Sequence, residues 1–172
     1  MNINELLSNK EIKPKEKTEG LSKCLLHKTI SVDELIEFAH TAKDTDKATC
    51  IEALEVATHQ HPSIANEKSL LFVTESLTNK APRVKWESAR VIGNIAYLFP
   101  SKLDEAMNYL IANTEHSGTV VRWSAAFALG EILKLNTKIN KTLLPSIEAI
   151  CEKEGKNSIK KIYLAAIKKI PK

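Results

Sequence analysis

The sequence predicts an all-α fold: a right-handed α-solenoid of about four helix pairs with a C-terminal capping helix. Three observations carry this. Val84–Ile95 and Val121–Ile132 are near copies, offset by 37 residues, and over 84–98 against 121–135 six positions are identical (Val, Trp, Ala, Gly, Ile and Leu). A fixed period of this size marks a repeat array, whose units bury their apolar faces only by stacking on neighbours. No run alternates apolar and polar residues over strand length, whereas apolar residues recur at three- and four-residue spacing. Only five glycines and six prolines interrupt 172 residues.

The elements follow in order. After a short N-terminal turn, residues 10–20 are polar and broken by Pro14 and Gly20. They are read as a link or ragged helix, making 1–20 a partly mobile N-terminal segment of a single domain spanning 1–172. Leu21, Cys24, Leu25 and Ile30 give a short apolar stripe. Ser31 and Glu34 form a capping box, the hydroxyl accepting from a first-turn N–H while the carboxylate reaches back, and a helix follows to about Ala42. Asp46 or a neighbour starts the next helix, which ends before Pro62 because a residue preceding proline is pushed out of the α region. Its partner spans about 65–78. The third pair is 82–98 and 102–113, with Ser101 as the cap of its second helix. The fourth is 118–135 and 141–153, with Pro145 tolerable near a helix start. Residues 158–170 place Ile159, Ile162, Tyr163, Ala166, Ile167 and Ile170 on one side and Lys160, Lys161, Lys168 and Lys169 on the other. They align with 121–132 at a shift of 38 but lack the Trp and the Gly, as a terminal cap does.

Apolar content of 43% supports a real core. Cys24, Cys50 and Cys151 are odd in number and far apart, which excludes a disulfide framework or a CxxC pair and suits a reducing cytoplasm. Nothing approaches the ~18 apolar residues of a membrane span, and the first ten residues hold no signal-peptide core. The net charge of +4 is uneven: residues 153–172 carry seven Lys and one Glu, leaving 1–152 at −2.

The segment Val121-Arg-x-x-Ala-Ala-x-Ala-Leu-Gly130, matched more loosely at 84–93, resembles the HEAT repeat of the phycobilisome-lyase type. That resemblance implies a scaffold of stacked helix pairs that binds macromolecules. The family often has Asp three residues before the Val, where this chain has Ala81 and Gly118, so no inter-unit Asp–Arg ladder is expected. No residue motif carries bilin-lyase activity over.

Repeats present equivalent positions as a ladder. The pairs Lys85/Trp86 and Arg122/Trp123, with Arg90, are therefore the candidate partner-binding residues, an aromatic-basic surface. The competing reading packs each Trp on the neighbouring unit. Ala89/Gly93 and Ala126/Gly130 are read as packing devices that let adjacent helices touch. His59 and His61 are too few for a metal, and no GxSxG, phosphate loop or HExxH is present. No catalytic residue, cofactor or metal is assigned. The expected function is a cytoplasmic, non-enzymatic scaffold or adaptor, its partner another protein. The alternative is nucleic-acid binding, in its sharpest form a HEAT-like glycosylase of alkylated DNA bases. Residues 29–152 hold 16 acids against 12 bases, where a DNA cradle needs excess positive charge.

Overall fold

The computed structural model describes residues 2–171. Ten α-helices account for the chain among these residues, with no strand. They are α1 (Ile3–Ser8), α2 (Pro14–Leu26), α3 (Val32–Thr41), α4 (Asp44–Gln60), α5 (Glu67–Ser76), α6 (Pro82–Ile95), α7 (Asp104–Asn113), α8 (Thr119–Lys134), α9 (Asn140–Lys153) and α10 (Asn157–Lys168). The four expected pairs are α2/α3, α4/α5, α6/α7 and α8/α9, and α10 closes the stack. The arrangement is an α-solenoid.

The pairs build two layers. In one, α2, α4, α6, α8 and α10 stack in series; in the other, α3, α5 and α7 do so. Neighbours approach much more closely in the first layer than in the second. A stack that is tighter along one layer curves towards it, so the even-numbered helices form the inner row and their outward side is the concave face.

Helix starts show how the sequence fixes the elements. Ser31 Oγ accepts from Glu34 N at 3.1 Å while Ser31 N donates to Glu34 at 2.7 Å, which is the capping box expected. Asn66 and Ser69 repeat the device at α5. Pro14 and Pro82 occupy first-turn positions, where a missing N–H costs nothing. Of the two readings of residues 10–20, link or ragged helix, the chain is helical from Pro14. Gly20 does not break α2; it lies under α1, where a β-carbon would meet Leu6 at 3.3 Å. Ile3, Leu6 and Leu7 are buried there. Ser101 does not cap α7, which starts at Asp104 after Leu103 with no side-chain cap. Leu103 is fully buried, so packing rather than capping sets that start. Pro145 lies inside α9, in its second turn.

One continuous apolar core runs between the layers, from Ile3 to Ala166. Cys50 is at its centre, its thiol pushed up to about 12 by burial, with a smaller contribution from Asp46, and so held inert.

Candidate binding face on the inner row

The repeat places Trp86 and Trp123 at equivalent positions of α6 and α8. Along α6 the residues left outside the core on this side recur as Arg83, Trp86, Arg90 and Asn94, with Tyr97 following in the short 3-10 turn Ala96–Leu98; along α8 they recur as Val120, Trp123, Phe127, Glu131 and Lys134. Spacing of three and four keeps each set on one side of its helix. These two strips form the middle of the concave face.

Trp123 is 39% exposed, Val120 51% and Tyr97 54%. The Trp123 ring stacks on Phe127 with centroids 6.0 Å apart and 15° between planes. Phe127 in turn fills the space left by Gly93: a β-carbon there would come within 2.3 Å of the phenyl ring. Trp86 is half-buried and donates from Nε1 to Glu87 Oε1 at 2.9 Å.

Glu87 itself is 4% exposed, and its second oxygen has no partner among the described residues. Burial raises its carboxyl to about 7, against the lowering effect of the Trp86 bond; Glu52 and Glu55 add to the rise and Arg90 opposes it.

The flank towards the N-terminus is polar and self-paired. Glu52 takes a bond from Thr18 of α2 at 2.9 Å and an ion pair from Arg83 of α6. Arg90 reaches Glu55 at 3.4 Å, and Asn94 donates to Glu55 O and Thr58 Oγ1. On α8, Lys134 pairs with Glu131. The cations of this face thus carry their own counter-charges.

The five residues singled out in the sequence divide between two places. Trp86, Arg90 and Trp123 share the concave face. Lys85 and Arg122 point into the turns between helices. The Lys85 ammonium donates to Leu77 O at 3.0 Å and Asn113 Oδ1 at 3.2 Å, and burial holds it below its ordinary pKa. Arg122 binds both carboxylate oxygens of Glu154 at 3.0 and 3.3 Å and the carbonyls of His116 and Ser117. Both cations close the turn that precedes their helix. Phe127, Tyr97 and Glu87 were not singled out. Phe127 had a signal, since the helix-interior Gly93, repeated at Gly130, leaves room for a large side chain of a neighbouring helix; Glu87 had none, because an acid mid-helix reads as solvated.

Among the described residues no group of three or more His, Cys, Asp or Glu stands together as a metal site. No helix there is long and apolar enough to cross a membrane.

Comparison with solved structures places the architecture. A designed armadillo repeat protein in complex with the peptide (KR)4 superposes with a TM-score of 0.78 at 18% identity, covering 98% of this chain and 80% of that one. A computationally designed armadillo repeat protein for modular peptide recognition gives 0.75 at 16% identity, with 98% and 81% covered. The complex of CpcE and CpcF of phycocyanin lyase from Nostoc sp. PCC7120 gives 0.72 at 15% identity, with 96% and 97% covered. The fold is an armadillo/HEAT-like repeat solenoid. No protein-family model matches the chain, and no curated protein matches it.

Proposed function

We propose that this solenoid is a non-enzymatic binding scaffold whose concave face holds an extended segment of a partner protein. The observation that carries the reading is the pair Trp86 and Trp123 at equivalent positions on adjacent helices of the inner row, Trp123 exposed and Trp86 half-buried beside it. Buried aromatics supply most of the energy at protein interfaces, and Trp and Arg are the commonest anchors. Trp86, Arg90 and Trp123 are the proposed contacts, with Phe127 as the floor on which Trp123 rests. Lys85 and Arg122 contribute by fixing where α6 and α8 begin, and hence where each Trp stands. Two structural neighbours are peptide-recognising designs, one with a bound peptide, which supports the mode of binding and leaves the partner's sequence open.

Glu52, Glu55 and Glu131 lie on the face or pair with its cations, which weakens the alternative of a nucleic-acid cradle, since phosphate binding draws on unpaired Lys and Arg. A partner rich in apolar and aromatic side chains suits the Trp123–Phe127 step better.

Peptides selected from a random display library against the full chain provide the test. Their affinity is then measured on Trp86→Ala, Trp123→Ala and Arg90→Ala, with Leu71→Ala as a control outside the inner row. Loss of the anchors is expected to weaken binding by about tenfold or more, with the control unchanged. Selected peptides that bind both Trp variants undiminished would overturn the assignment.

A further inference from the structure

The last helix of the inner row carries a second surface, separate from the Trp face. On α6 and α8 the positions that meet the next helix in the row are small. Gly93 lies against Phe127 of α8, and a β-carbon on Gly130 would sit 3.3 Å from the Ala166 β-carbon of α10. At the repeat shift of 38, Ala126 and Gly130 correspond on α10 to Leu164 and Lys168. The side of α10 that would receive a further helix therefore presents a leucine, 49% exposed, and a lysine.

Residues three and four away surround Leu164 on the helix surface: Lys160, Lys161, Ile167 and Lys168, with Ile167 half-buried. None of these lysines makes an ion pair among the described residues. The single acid of the segment, Glu154, is buried and held by Arg122. The positive charge of α10 is therefore uncompensated, around an apolar centre.

We propose that this side of α10 docks an acidic amphipathic helix of a partner protein, lying where the next helix of the row would lie. Leu164 and Lys168 in place of Ala and Gly prevent the close approach that this chain's own repeats need, so the surface rejects another repeat of the same kind. It offers a helix with glutamates flanking an apolar stripe a site to cover Leu164 and Ile167 and to pair with Lys160, Lys161 and Lys168. A membrane surface fits less well, because the apolar stripe of α10, with Ile159, Tyr163 and Ala166, is already spent on α8, whereas lipid-bound helices bury a broad apolar face. A polyphosphate chain would use the lysines and make no use of Leu164.

The probe is a synthetic amphipathic helix of leucine and glutamate, titrated against the full chain beside polyglutamate, duplex DNA and phosphatidylserine vesicles. The leucine–glutamate peptide is expected to bind, more weakly at higher salt. Leu164→Ser and the triple change Lys160→Glu/Lys161→Glu/Lys168→Glu should each weaken it by about tenfold. Lys138→Glu/Lys141→Glu, outside the inner row, and Trp86→Ala/Trp123→Ala should leave it unchanged. The proposal is overturned if the peptide does not bind, if Leu164→Ser has no effect, or if polyglutamate, DNA or vesicles bind through the same lysines as tightly as the peptide.

Discussion

Gly93 of α6 and Phe127 of α8 interlock: the glycine leaves the hollow that the phenyl ring fills, and Trp123 stacks on the same ring. A glycine inside a helix costs about 1 kcal/mol against alanine, so its place here needs compensation. The close approach of α6 and α8 supplies it, and the same contact sets the height of Trp123 above the concave face. A feature of the repeat that reads as packing thus also shapes the candidate site.

Gly93→Ala is accordingly expected to destabilise the protein by about 1–3 kcal/mol, as overfilling does, despite the gain in helix propensity. Phe127→Ala should remove that penalty, and the double variant should be more stable than the two single losses summed. Urea unfolding of the four proteins measures this directly. Additive losses would show that the ring and the glycine do not share one space. At Gly130, where the added carbon would meet only Ala166 at 3.3 Å and Ile162 at 3.9 Å, alanine should cost less than at Gly93.

Glu87 predicts a pH dependence. Its carboxyl rises from 4.5 to about 7 on folding, so between those values the folded state binds more protons than the unfolded one. Stability then falls as pH rises through that window and levels off above it. Glu87→Gln keeps an acceptor for Trp86 Nε1 and removes the charge. It should match the parent near pH 4.5 and exceed it at pH 8 by about 2–3 kcal/mol. Equal stabilities at both pH values would mean that Glu87 is well solvated when charged.

Arg122 and Glu154 are a largely buried ion pair, the latter 7% exposed. Burial pushes the Glu154 carboxyl up, but the Arg122 bonds and the amides of Lys156 and Gly155 outweigh that and hold it below its usual value. Removing one partner strands the other: Arg122→Met should cost about 3–5 kcal/mol, and Arg122→Met/Glu154→Met should recover much of it. Thermal unfolding of the three chains tests this. A double variant no better than Arg122→Met would show that Arg122 acts mainly through the carbonyls of His116 and Ser117.

The pairs were legible because each unit repeats the same face, and the Ser31 box and the prolines punctuate them locally. Where the reading missed, long-range packing decided. Gly20 reads as a breaker in sequence, and only the position of Leu6 makes it a contact. Ser101 has the chemistry of a cap, yet burial of Leu103 moves the start of α7 beyond it. The site was half legible for a related reason. Periodicity brings Trp86, Arg90 and Trp123 to one face, but Lys85 and Arg122, adjacent to the tryptophans in sequence, are 100° round the helix and turn towards Asn113 and Glu154. The acidity of Glu87 depends on burial against α4, which no local motif encodes.

The contact of α8 with α10 gives the last prediction. Ile159, Tyr163 and Ala166 are buried on that side of α10, and burial drives the Tyr163 phenol above its ordinary pKa. Ala126 and Gly130 line the facing side of α8 and are fully buried. Truncation after Gly155 would bare them together with the neighbours of Leu129 and Ile147, so the shortened chain should aggregate or unfold in part. Ala126→Leu should lower the urea midpoint by overfilling the same seam, at about 1–3 kcal/mol, while Lys168→Leu, on the exposed side, should not. A truncated chain as soluble and cooperative as the parent, or equal small effects at Ala126 and Lys168, would show that α10 does not close the core.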